Sequence, residues 1–275
     1  GFASFKRGGE EFAVRRAGVK TGGGRGRYFR YSLRHLGTGT IFKLTGDAQS
    51  LDQTPNVITE LGSTFLMQCG GIGSAWAEVR NILEALGGYV LWDKLSRVDM
   101  CADFACLDMG LLYDLIVNQK LAISRAQSRT CYQQCSHETG LTFGTGVIVL
   151  RIYDKAYEVR VKKPDAAKQR LLEQFRWGGP QESAVRVEFQ LRRELLKDVL
   201  AGNIAQYSRM RGELAAYLTS EWFRIADTPP DRENNNTQRA GIHAAWETVQ
   251  AGFAAWAGQP VNAIRRGLPK LTKDP

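Results

Sequence analysis

Histidine, paired cysteine and long apolar runs are what this sequence has least of. Its three histidines, His35, His137 and His243, stand far apart and form no metal-binding motif. Its five cysteines are an odd number without framework spacing. That excludes a small disulfide scaffold and favours a reducing compartment. The spacings Cys101-x4-Cys106 and Cys131-x3-Cys135-x-His137 fit no common zinc site, so the thiols read as reduced. No stretch approaches the roughly 20 apolar residues of a bilayer span, and the opening GFASFKRGGEEF holds no apolar leader core. The expectation is a cytoplasmic protein without a membrane partner. Internal repeats, heptads and low-complexity tracts are absent too. With 43% hydrophobic and 24% charged residues, disorder is excluded, because 275 residues can bury roughly three quarters of their unfolded surface.

What the chain has in excess is positive charge, net +9 with a pI near 9.4. The excess is concentrated in residues 1–50, where ten bases face three acids, Glu10, Glu11 and Asp47. A local excess of this kind favours a polyanion, of which nucleic acid is the commonest. Arg25, Arg27, Arg30 and Arg34 interleave with Tyr28, Phe29 and Tyr31. Two readings stand side by side: bases stacking on the aromatics of a single-strand site, or alternate aromatics packing a core. The tail bases Arg265, Arg266, Lys270 and Lys273 lie outside the catalytic strands considered below and read as phosphate contacts.

Periodicity and turn residues outline the elements. A hairpin is expected over 27–36 and 40–45, a buried strand over 63–69, and a helix capped by Ser74 that ends at Gly87 and Gly88. Further strands are expected at 95–104, near 128–134, within 141–155 and at 184–192, with HETG (137–140) as a turn. Helices are expected at 109–118, 164–175, 193–200, 205–225 and 240–256. The polar stretch 227–238 reads as a loop or linker. The division is therefore a domain over 1–226 and a C-terminal helix with a basic tail over 239–275.

Three strands alternate cleanly. Val98, Met100, Ala102 and Phe104 share a face, as do Ile148, Leu150 and Ile152, and Val185, Val187, Phe189 and Leu191. If those faces pack on helices in one antiparallel sheet, Asp99, Asp103, Tyr153, Lys155 and Glu188 meet on the other face. A solvated sheet surface is the plainer alternative. Carboxylates at i and i+4 on a strand lie roughly 13 Å apart, so Asp99 and Glu188 from neighbouring strands form a better pair for Mg²⁺ or Mn²⁺ than Asp99 and Asp103. A tyrosine beside such an ion can attack phosphorus. Lys155, two residues along on the same face, could lower the phenol's pKa or neutralise the pentavalent phosphorus. Tyr157 is a second candidate nucleophile.

The segments LSRVDMCADF, RIYDKAYE and VRVEFQLRREL resemble the replication initiation factor family, which holds rolling-circle plasmid and filamentous-phage initiators and relaxases of integrative elements. The resemblance in layout runs from about Phe29 to Tyr217. It implies an α+β fold, a central antiparallel sheet with helices on one face, related to the histidine-hydrophobe-histidine endonucleases and relaxases but without their histidines. It implies a catalytic Tyr153 with Lys155, a metal held by Asp99 and Glu188, and supporting or structural places for Asp103, Glu158 and Arg151. Arg25, Arg27, Arg30, Arg34 and Arg186 are the expected DNA contacts. The implied function is nicking an origin strand through a 5′ phosphotyrosine. The implied partners are origin DNA, single-stranded or extruded as a hairpin, and a helicase and polymerase of a bacterial host or element; a homodimer is allowed. The alternatives are an element relaxase and a non-catalytic module that binds an origin and recruits a helicase.

Overall fold

The hairpin expected over 27–36 and 40–45 is, in the computed structural model of the protein, part of a five-stranded antiparallel meander. Its strands are β1 (Ala3–Arg7), β2 (Glu10–Thr21), β3 (Arg27–His35), β4 (Ile41–Leu44) and β5 (Val57–Glu60), neighbours in that order. The structure describes residues 3–21, 27–45, 55–134, 137–230, 240–261 and 264. Gly8 and Gly9 take φ of 58° and 85° in the β1–β2 turn, where a side chain would be strained. Phe12, Leu33 and Phe42 line one sheet face and pack against Phe65 of α1 (Ser63–Gln68) and Ala75, Val79 and Ile82 of α2 (Ile72–Ala85).

Two expectations fail in this region. Residues 63–69 are helix, not strand: one side chain of α1, Phe65, is buried, and a short apolar run carries no period that separates the two states. The second helix starts at Ile72 with Gly71 at its N-cap, φ 139°, so Ser74 lies inside the helix.

The chain divides into two compact units, residues 1–94 and 95–275. The boundary falls inside the 1–226 stretch expected as one domain. The second unit is built on the strands β6 (Arg97–Phe104), β8 (Arg129–Gln134), β9 (His137–Phe143), β10 (Ile148–Asp154) and β11 (Val185–Arg192). Their spatial order is β6-β11-β10-β9-β8, antiparallel throughout. The expected turn at 137–140 is instead the start of β9, paired on both sides. A second, two-stranded sheet joins β7 (Ala122–Ser124) to β12 (Phe223–Ile225).

The apolar face of the large sheet is buried as its alternation requires. Met100, Phe104, Leu150, Ile152, Val187, Phe189 and Leu191 are all within the core. The rings of Trp222 and Phe253 sit edge-on to Phe189 at 6.1 and 5.7 Å, and Phe223 bridges Phe143 and Trp246 at 4.7 and 4.9 Å. Trp246 and Phe253 belong to the C-terminal helix Ala244–Ala257, which is therefore part of this core and not a separate appendage. A Cβ on Gly252 would fall 2.4 Å from the Phe104 ring, so glycine lets this helix approach β6. The architecture is α+β, a central antiparallel sheet with helices on its apolar face. The expected linker reaches into residues 231–239, and the tail bases lie beyond 264, outside the described residues. Among the described residues no helix is long and apolar enough to cross a membrane.

Candidate active site

The register of the large sheet stacks its polar residues in rungs. Tyr153 of β10 faces Arg186 of β11, which faces Asp103 of β6. The next rung is Arg151, Glu188 and Cys101, and the one after is Val149, Gln190 and Asp99. Side chains directly opposite one another share a face, so the three alternating strands converge as their sequences imply. On the far side of β10, Gly140 lies beside Tyr153 and Thr142 beside Arg151.

Glu188 is the centre of this surface. Its Oε2 accepts a hydrogen bond from the Tyr153 hydroxyl at 3.2 Å, and its Oε1 accepts from Arg151 Nη1 at 3.2 Å. Arg151 Nη2 also donates to Gln190 Oε1 at 3.0 Å. Burial holds the Tyr153 phenol well above its usual value; Arg186 opposes that shift and the charges of Glu188 and Glu158 add to it. Lys155 does not supply the expected lowering. The strand ends at Asp154, whose carboxylate caps the backbone N–H of Tyr157 at 2.9 Å, so Lys155 opens the short helix Lys155–Tyr157 instead of continuing the strand face. Its ammonium is buried, bonded to Glu158 and 5.6 Å from the centroid of the Tyr153 ring. Burial, with Arg186 nearby, lowers the Lys155 pKa, and the Glu158 contact offsets part of that.

Arg186 is not the DNA contact it was expected to be. It is buried and forks onto Asp103 with Nε–Oδ1 and Nη2–Oδ2 distances of 2.5 and 2.7 Å. Trp177 Nε1 donates to Asp103 Oδ2 at 3.0 Å, and Arg176 Nη1 reaches Cys101 Sγ at 3.2 Å. Residues at the end of the 166–177 helical stretch therefore cover this corner of the polar face. Burial pushes the Asp103 carboxyl up, but the hydrogen bonds and charge of Arg186, with Arg176 and Trp177, outweigh it and hold the group below the usual range.

Asp99 faces Gln190, one diagonal step from Glu188, about 7–8 Å along the sheet. Its two oxygens are engaged by Arg97 Nε and Nη2 at 2.7 and 2.5 Å. Among the described residues no group of three or more histidine, cysteine or acidic side chains converges as a ready-made cage. A two-carboxylate, oxygen-only set does suit Mg²⁺ or Mn²⁺, which fill the remaining positions with water and phosphate oxygens. Asp99 and Glu188 fit such an ion by donor type, in competition with Arg97 and Arg151.

A cleft of about 300 Å³ opens on this face between Tyr132, Thr142, Arg151, Tyr153, Tyr157 and Glu188, among others. Tyr157 stands at its rim, its hydroxyl donating to Gln134 Oε1 at 2.9 Å. The other expected DNA contacts belong to the first unit. Arg34 is exposed on β3 and Arg30 half-buried, while Phe29 is fully buried, which decides for packing over base stacking at that residue. Arg25 and the Arg27 side chain lie outside the described residues. Gln190, which orients Arg151, alternates in register with Glu188 and is legible in the sequence for that reason. Trp177 carries no such signal.

No family model matches the chain, and no curated protein matches it. Among solved structures, the chain is similar to the rolling circle replication initiator protein from Geobacillus stearothermophilus, with 14% sequence identity, 92% of this chain and 82% of that chain covered, and a TM-score of 0.48.

Proposed function

We propose that the chain is a nicking-joining endonuclease that cuts one DNA strand through Tyr153, as an initiator of rolling-circle replication. The observation that carries this reading is the Tyr153–Glu188 hydrogen bond on the floor of an open, arginine-flanked cleft. The three segments that resemble the replication initiation factor family, distant in sequence, are the adjacent strands β6, β11 and β10.

A phenol held above its usual pKa is a poor nucleophile unless its proton has somewhere to go. Glu188 Oε2, already the acceptor of that hydrogen bond, takes the proton as the Tyr153 oxygen attacks phosphorus. The Tyr153 O–P bond forms, the P–O3′ bond breaks, and the leaving 3′ oxygen takes a proton from solvent water. The product is a 5′ phosphotyrosine and a free 3′ hydroxyl. Attack by another 3′ hydroxyl reverses the step, and no nucleotide hydrolysis is needed because the ester keeps the bond energy. Arg151 holds Glu188 in place and presents positive charge to the scissile phosphate. The buried Lys155, paired with the half-buried Glu158, lies beneath the Tyr153 ring. Asp99 and Glu188 are the residues that would hold Mg²⁺ or Mn²⁺, whose chemistry when bound is to polarise a phosphoryl oxygen.

The proposed partners are origin DNA, presented single-stranded or as an extruded hairpin, and the helicase and polymerase that extend from the freed 3′ end. Plasmid initiator, phage initiator and element relaxase share this chemistry. Incubating supercoiled plasmid carrying the candidate origin with the protein and Mg²⁺ tests the reading. Nicked circles with covalently attached protein are expected. Binding without any nick would instead assign a non-catalytic origin-binding module.

A further inference from the structure

One side of the cleft takes no part in the chemistry above. On β8 and β9, Tyr132 faces Gly140, which in turn faces Tyr153. The three residues form one rung on one sheet face, two tyrosines separated by a residue without a side chain. Adjacent strands are about 4.8 Å apart, so the two tyrosine backbones stand roughly 10 Å apart with open space over the glycine. A Cβ on Gly140 would come 3.0 Å from both Tyr153 Cβ and the Ile152 carbonyl, so the gap is kept by the absence of a side chain. Tyr132 is 46% exposed and lines the cleft together with Gly140, Thr142 and Tyr157. Two cations flank it, the half-buried Arg151 and the exposed Lys162.

We propose that Tyr132 and the gap over Gly140 form a slot for one unpaired nucleobase of the DNA strand, stacked on the Tyr132 ring beside the attacking Tyr153. The slot is flat and aromatic on one wall, which suits the π-face of any base. The cations at its edges suit the phosphates that flank such a base. A base pair cannot enter without unpairing, so the slot selects a single-stranded or flipped-out nucleotide next to the scissile phosphate. This inference rests on the nicking reading and names the substrate feature that the same site recognises.

The test uses the full chain carrying Tyr153→Phe, so that binding is measured without cleavage. Its affinity is read by fluorescence anisotropy on a single-stranded origin oligonucleotide and on a series in which one nucleotide at a time is abasic. One abasic position should weaken binding roughly 5- to 150-fold, the range for removing a stacked base. Adding Tyr132→Ala should weaken binding of the intact strand to a similar degree and abolish the effect of that abasic position. Tyr132→Phe, which keeps the ring, should retain both. The proposal is overturned if Tyr132→Ala binds the intact strand as tightly as its parent, or if every abasic position is equally tolerated. Displacement of the strand by an equal concentration of free mononucleotide would also overturn it, since the slot would then serve a nucleotide and not a strand. The nicking reading fails separately, when wild-type protein captures no DNA on any strand tested.

Discussion

The Tyr153 hydroxyl and the Glu188 carboxylate meet diagonally across β10 and β11, 3.2 Å apart, on a face whose other side is core. In the rung of Tyr153, Arg186 of β11 is joined to Asp103 of β6. A reactive pair is thus mounted beside a buried, fully engaged ion pair, which keeps its geometry rigid.

The metal expectation is tested by neutralising its ligands. Asp99→Asn and Glu188→Gln each keep shape and remove a charge that a hard cation needs. Cleavage should fall by about 100-fold or more, a loss of the size that follows removal of a key transition-state group. Isothermal titration with Mn²⁺ should show weakened binding in both variants. Undiminished wild-type cleavage in EDTA would contradict a metal-dependent mechanism.

The pH dependence follows from the Tyr153 environment. Burial and the neighbouring carboxylates favour the neutral phenol, so its proton passes to Glu188 only as the oxygen attacks. The cleavage rate should therefore stay level from neutrality to about pH 9, the usual tyrosine value being about 10. A rate that climbs about tenfold per pH unit over that range would show that a preformed phenolate attacks and that Glu188 is not the base.

Asp103 carries a stability prediction. Its carboxyl is held below the usual range, so its contribution is present above about pH 3.9, the ordinary aspartate value, and is lost as pH falls through the lower folded value. Asp103→Ala leaves Arg186 buried and unpaired, which should cost about 3–5 kcal/mol at pH 7. Urea unfolding at pH 7 and again in acid should show the gap to wild type closing on acidification. Equal stability at pH 7 would contradict the structural role.

Arg30 and Arg34 alternate on β3 with the buried Phe29 and Leu33, on the face away from α1 and α2. If they bind phosphates, replacing both by Gln should weaken binding to all sequences alike. Each arginine–phosphate pair removed should also flatten the slope of log affinity against log salt by about 0.7–0.9. An unchanged slope with reduced preference for one sequence would assign them to base readout.

The catalytic strands are legible in the sequence because each keeps one period and one buried face from end to end. β2 is not, because its register shifts between Arg16 and Val19, which resets the alternation halfway along. Lys155 is misplaced by alternation alone, which continues on paper past Asp154, whereas that residue's side chain caps a helix. Arg186 reads as solvent-facing because polarity on a strand face does not distinguish an open surface from a buried ion pair. The cover that decides it, Trp177 and Arg176, comes from a helical stretch more than 70 residues away from β6 in sequence.

Tyr153, and not its neighbour Tyr157 at the cleft rim, is the residue expected to become joined to DNA. The direct measurement is mass spectrometry of peptides from protein trapped on a single-stranded origin oligonucleotide, with Tyr153→Phe and Tyr157→Phe run beside wild type. The expected result is a nucleotide adduct on the Tyr153 peptide in wild type and in Tyr157→Phe, and none in Tyr153→Phe. An adduct that persists in Tyr153→Phe, or that maps to Tyr157, would take the nucleophile's role away from Tyr153.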